Sequence, residues 1–150
     1  MRMSRGLGLL WILMVCAALL GACSDDDNNS PTEPLPTTDS IAIETITPAR
    51  GTTLRKGQEV TFTAFVRYTV GTASTGRMSM VIQNQANQNL QAAGTQPRVD
   101  LIRGGGTVTL TSRITVPTSG TSSVIVITPL FVGNAPTTSI TSSVTYTVVD

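Results

Sequence analysis

The sequence predicts an all-β chain: a single β-sandwich of about seven strands over residues 40–150, preceded by a helical leader and a disordered tether. Three observations carry this. Apolar and polar residues alternate with a period of two through most of the C-terminal 110 residues or so, which is the pattern of half-buried strands. Charged residues make up only 13% of the chain, about half the usual share of roughly 25%, and Thr and Ser take their place. Threonine is β-branched and suits a pleated surface. Turn chemistry recurs between the alternating runs, and no segment has the period of an amphipathic helix.

The first 22 residues read as a secretory leader. Met1–Arg5 carries two arginines, and Leu7–Leu20 is an apolar run too short for a comfortable transmembrane helix, which needs about 20 residues. Small residues close it as Leu20-Gly21-Ala22-Cys23. This tetrad resembles the lipobox of bacterial lipoproteins. The resemblance implies cleavage before Cys23, a diacylglycerol on its thiol through a thioether, and a further acyl chain on the freed amine. Two or three chains hold a protein stably on a membrane where one is marginal. The competing reading is an ordinary cleaved leader with a stray cysteine. Cys16 lies in the discarded part, so the mature chain keeps one cysteine and forms no internal disulfide. In many Gram-negative lipoproteins an Asp after the lipidated Cys favours the inner membrane; Ser24 stands here, which favours the outer membrane if the source is Gram-negative.

Residues 23–39 form the lipidated cysteine and its tether. Ser24–Asp39 holds five acids, no base and one large apolar residue, Leu35, and is expected to be disordered. Extended, it spans about 50 Å. The run Asp25-Asp26-Asp27 lacks the spacing of a calcium loop and reads as solvated acid.

The domain is expected over residues 40–150. Ile41–Ile46 is a first strand. Val60, Phe62, Ala64, Val66, Tyr68 and Val70 mark the inward face of a second, against Thr61, Thr63, Phe65, Arg67 and Thr69. The same pattern returns with Val108, Leu110, Ser112, Ile114 and Val116 inward, and again with Ile140, Ser142, Val144, Tyr146 and Val148. Met78, Met80 and Ile82 give a further strand, Arg98–Arg103 an edge strand, and Val124–Phe131, apolar on both sides, a central one. Turns are expected at Pro48–Gly51, Lys56-Gly57, Gly71–Gly76, Asn84–Asn89, Gly104–Gly106, Pro117–Gly120 and Gly133–Pro136.

The layout Ile46-Thr47-Pro48-Ala49-Arg50-Gly51, then Leu54, then Lys56-Gly57-Gln58-Glu59-Val60-Thr61-Phe62-Thr63 resembles the first two strands of immunoglobulin-like and fibronectin type III-like bacterial surface domains. The resemblance implies an immunoglobulin-like sandwich. The chain departs from true immunoglobulin domains in lacking the cysteine pair and the core tryptophan, since Trp11 leaves with the leader. A small barrel is the main alternative.

Chemistry is sparse. The chain has no histidine, which removes the commonest general base, the Ser-His-Asp and Cys-His arrangements, and imidazole metal ligands. Lys56, the one lysine, reads as a solvated turn residue, and Glu44 and Glu59 as partners of surface cations rather than a carboxyl pair. No cofactor or metal is expected. From Ser40 on there are eight bases and four acids, about +4, but they form no run, so a nucleic-acid surface is not expected. Phe65, Arg67, Arg113 and Phe131 are the candidate partner surface, with Phe65 and the two arginines on outward positions. The expected function is that of a non-catalytic envelope lipoprotein, held to the membrane through acyl chains on Cys23, with the domain in structural or protein-contact roles. The alternative is a module binding carbohydrate or peptidoglycan; a hydrolase inhibitor or an enzyme comes behind both.

Overall fold

A computed structural model describes residues 34–134 and 139–150. The leader, Leu20, Gly21, Ala22 and Cys23, the tether as far as Glu33, and Pro136 lie outside the described residues.

Seven strands and no helix occur among the described residues: β1 (Ser40–Thr47), β2 (Leu54–Arg55), β3 (Glu59–Ser79), β4 (Val81–Asn84), β5 (Arg98–Thr115), β6 (Ser123–Val132) and β7 (Ser139–Val149). They join in one mixed, open sheet in the order β1-β3-β6-β7-β2, with β4 also on β6 and β5 also on β3. All pairings are antiparallel except the short β2–β7 pair.

The alternation read from the sequence sets the inward faces. Val60, Phe62, Ala64, Val66 and Val70 of β3 are buried, as are Leu110, Ser112 and Ile114 of β5, and Val144, Tyr146 and Val148 of β7. Met78, Met80 and Ile82 are fully buried. The Phe62 and Tyr146 rings meet with centroids 5.2 Å apart and planes tilted by 58°, a favoured aromatic geometry. Their strands share no hydrogen-bond ladder, so the sheet folds back on itself and closes a core between two faces. The result is sandwich-like. Ile140 departs from its expected inward place: it sits at the rim, 40% exposed, opposite buried Leu130.

Two expected turns prove to be strand. Gly71–Gly76 falls inside the 21-residue β3, and Gly104–Gly106 inside the 18-residue β5. These two strands form one antiparallel ribbon whose register shifts between the Val70–Gly104 and Thr75–Ile102 pairs. Gly71–Ser74 stands there against Arg103 alone, an excess of three residues. Because three is odd, inward positions on β5 change parity across the corner, from even at Leu110 and Ser112 to odd at Leu101. The glycines serve close approach. A Cβ on Gly106 would lie 3.1 Å from the Tyr68 hydroxyl and 3.3 Å from its ring, so the side chain of Tyr68 occupies that space.

Beyond the corner, β3 leaves its alignment with β1 and pairs with β6 through Gly76, Arg77 and Met78. β4 continues the same register, since Met78 faces Leu130 and Val81 faces Ile127. The interval between them falls at Pro129, which has no N–H to give to a ladder. β6 is central, as its two-sided apolar pattern predicts, with β3 and β4 on one side and β7 on the other.

Polar groups in the core are satisfied. Gln91 accepts from the Ile82 amide (2.9 Å) and donates to the Met80 carbonyl (3.2 Å) and the Ser112 hydroxyl (2.7 Å). No buried side-chain nitrogen or oxygen among the described residues lacks a partner. At Asn84–Asn89 the expected turn forms, with Asn87 at a φ of 60°.

Thr37–Asp39, the end of the stretch read as tether, contacts the corner of β3. The Asp39 carboxylate accepts from the amides of Gly71 (2.7 Å) and Thr72 (3.0 Å) and from the Thr72 hydroxyl. A Cβ on Gly71 would lie 2.4 Å from both the amide nitrogen and the carbonyl oxygen of Thr38, so only glycine lets this strap lie down.

Candidate functional site

The four residues singled out as a partner surface do not form one patch. Phe65, Arg67 and Arg113 are on the outward face of β1, β3 and β5, where Phe65 is 38% exposed between Thr45 and Thr109. Phe131 is on β6, opposite Arg77 of β3 beyond the corner. The two arginines are already engaged: Arg67 Nε donates to Glu44 at 2.5 Å, and Arg113 pairs with Glu59. Glu44 and Glu59 thus serve separate cations and make no carboxyl pair. Exposed pairs of this kind contribute about 0–1 kcal/mol each.

The remaining described acids are also committed. Lys56 pairs with Asp150 at 2.5 Å and Arg77 with Asp100 at 3.0 Å. The Lys56 ammonium holds the Asp150 carboxyl below its ordinary range. Asp39 is lowered too, first by the Thr72 hydroxyl and then by the two amides it binds. Burial raises the Tyr146 phenol, against a smaller opposing effect of the Arg50 charge. Among the described residues no three His, Cys, Asp or Glu side chains gather in metal-binding geometry.

Phe131 belongs instead to an open groove of about 830 Å³ on the outer face beyond the corner. Register explains its lining. Asp100, Arg77 and Phe131 form one row across β5, β3 and β6. Ser79 and Arg98 form the next row, and Thr75 and Ile102 the row before. Val81 and Pro129 supply further apolar surface where the ladder is interrupted, while Gln96 and Asn134 border the groove. Its surface therefore combines one half-buried aromatic ring and aliphatic side chains with an exposed ion pair and the cation Arg98.

Arg77, Arg98, Asp100 and Ile102 did not stand out in the sequence as site residues. The available local signal was parity. Arg98, Asp100 and Ile102 share one face of the predicted edge strand, and an isoleucine on a face with two charges is out of place for a solvated strand. Ile102 is indeed 77% exposed. The rows themselves join three strands distant in sequence, and no local pattern shows them.

No family model, no curated protein and no solved structure matches the chain.

Proposed function

We propose that this protein is a non-catalytic, lipid-anchored envelope protein whose immunoglobulin-like β-sandwich makes contacts with other proteins. The observation that carries the anchor is the placement of Leu20-Gly21-Ala22-Cys23: it ends an apolar run and precedes a polar stretch rich in acid and proline. Cys23 would bear the acyl chains, and Ser24 favours the outer membrane in a Gram-negative source. The immunoglobulin-like reading is supported by the folding back of β1, β3 and β5 onto β6 and β7, and by the parallel contact of β2 with β7. A non-catalytic role is supported by the commitment of every described carboxylate to a cation or to backbone and hydroxyl donors. A second reading, a module for carbohydrate or peptidoglycan, is favoured by the Phe131 ring beside the Arg77–Asp100 pair.

Intact mass of the protein from native membranes, with and without lipase, tests the anchor. The expected result is a chain beginning at Cys23 with a mass excess of acyl chains that lipase reduces. Cys23→Ser should move the protein from the detergent to the aqueous phase. An unmodified N-terminus, or a Ser variant still in the detergent phase, refutes the anchor.

A further inference from the structure

We propose that the outer edge of β5 at Arg98–Arg103, with the groove beside it, is a strand-addition site for an extended peptide bearing a carboxylate and an apolar side chain four positions apart. The inference rests on the protein-contact reading above and is independent of the anchor.

β5 pairs with β3 alone along its whole length, so its other edge presents N–H and C=O groups with no ladder partner among the described residues. Such a row repeats at the spacing of a polypeptide in extended form, and an added strand completes it through main-chain hydrogen bonds. A glycan has no matching repeat of donors and acceptors.

Side chains then set the preference. Arg98 and Ile102 are on the groove side of β5 with Asp100 between them. Asp100 is neutralised by Arg77, whereas Arg98 has no carboxylate within ion-pair distance among the described residues. Ile102 is 77% exposed, a large apolar side chain on an open edge. Alternate residues of an added strand face the groove, and residues four apart are separated by about 13 Å. One peptide carboxylate therefore meets Arg98 while an apolar side chain four places away covers Ile102. Arg103, whose guanidinium makes only a 3.4 Å contact to the Pro36 carbonyl, adds positive charge at the end of the edge. The charge of this surface selects an acidic peptide over a basic one.

The test uses the full chain in detergent micelles and a synthetic labelled peptide of Thr and Val carrying one Glu and one Leu four positions apart. Fluorescence anisotropy should show saturable binding, and hydrogen exchange should slow over Arg98–Arg103. Arg98→Glu should weaken binding about tenfold, and a peptide with Lys in place of Glu should recover it. Ile102→Lys should weaken binding of the original peptide. Both positions are exposed, and an unchanged far-ultraviolet spectrum checks the fold. The proposal is overturned by no binding at millimolar peptide, by affinity unchanged in both variants, or by protection at another strand. It is also overturned if peptidoglycan fragments bind where the peptide does not. A lipidated Cys23 without peptide binding would remove this site and leave the anchor standing.

Discussion

Tyr146→Phe isolates one hydrogen bond in the core. The Tyr146 hydroxyl donates to the Pro48 carbonyl at 2.6 Å, tying β7 to the turn after β1, while its ring packs against Phe62. Phenylalanine keeps the ring and removes the donor. A typical hydrogen bond contributes about 0.5–1.5 kcal/mol net, and an acceptor stranded away from water costs about 1–3 kcal/mol. Pro48 is half-buried, so water can reach part of the carbonyl and the loss should fall near 1–1.5 kcal/mol. For a domain of this size that lowers Tm by about 4–6 °C. A pH series supplies a second signature. Burial raises the Tyr146 phenol above its ordinary value, so its contribution is whole below the unfolded value of about 10 and is lost as pH rises through the folded value. Urea unfolding followed by circular dichroism should therefore show the wild type ahead near neutrality, with the gap closing in alkali. A gap that stays constant through pH 11, or a neutral-pH loss below about 0.3 kcal/mol, would refute the role given to the hydroxyl.

Three further substitutions separate the polar core, the strap and a glycine with room for a side chain. Gln91→Leu removes the acceptor of the Ile82 amide and both donations to Met80 and Ser112, and should cost about 2–4 kcal/mol, with faster hydrogen exchange at Ile82. Gly71→Ala forces the Thr38 backbone away and with it the Asp39 carboxylate. It should cost about 1–3 kcal/mol and expose Pro34–Asp39 to proteolysis. Gly105→Ala, whose Cβ would find the Tyr68 carbonyl at an ordinary 3.5 Å, should be neutral or stabilising by up to about 1 kcal/mol. Equal effects at the two glycines in urea unfolding would contradict the close-approach reading.

The inward faces were legible because each is a local property: a run such as Val60-Thr61-Phe62-Thr63-Ala64 states its own period. The central place of β6 was legible for the same reason. Glycine-rich stretches misled because their meaning is set elsewhere. Gly106 lies tight against the Tyr68 side chain and Gly71 is required by the Thr38 backbone, and neither neighbour is near in sequence. The arginine surface failed for a related reason. Parity correctly turned Arg67 and Arg113 outward, but only register reveals that Glu44 and Glu59 neutralise them. The groove needed register across three strands, with Ile102 as its lone local sign.

The open edge of β5 follows from the route of β3. By pairing first with β1 and then with β6, β3 places β5 on the outside of both halves, so no other described strand covers it. Long edges invite pairing with like edges, and charged side chains are a common guard. Arg98, Arg103 and Arg113 are distributed along this one. Arg113 is already paired with Glu59, and thus adds little repulsion, while Arg98 and Arg103 have no carboxylate partner among the described residues. A second copy aligned on the Arg98–Arg103 stretch would bring two such sets together and be opposed by their like charge. An acidic strand meets the same backbone edge without that opposition. The guard against self-association and the preference for an acidic partner are therefore one feature of the edge, and Arg98→Glu should weaken both together.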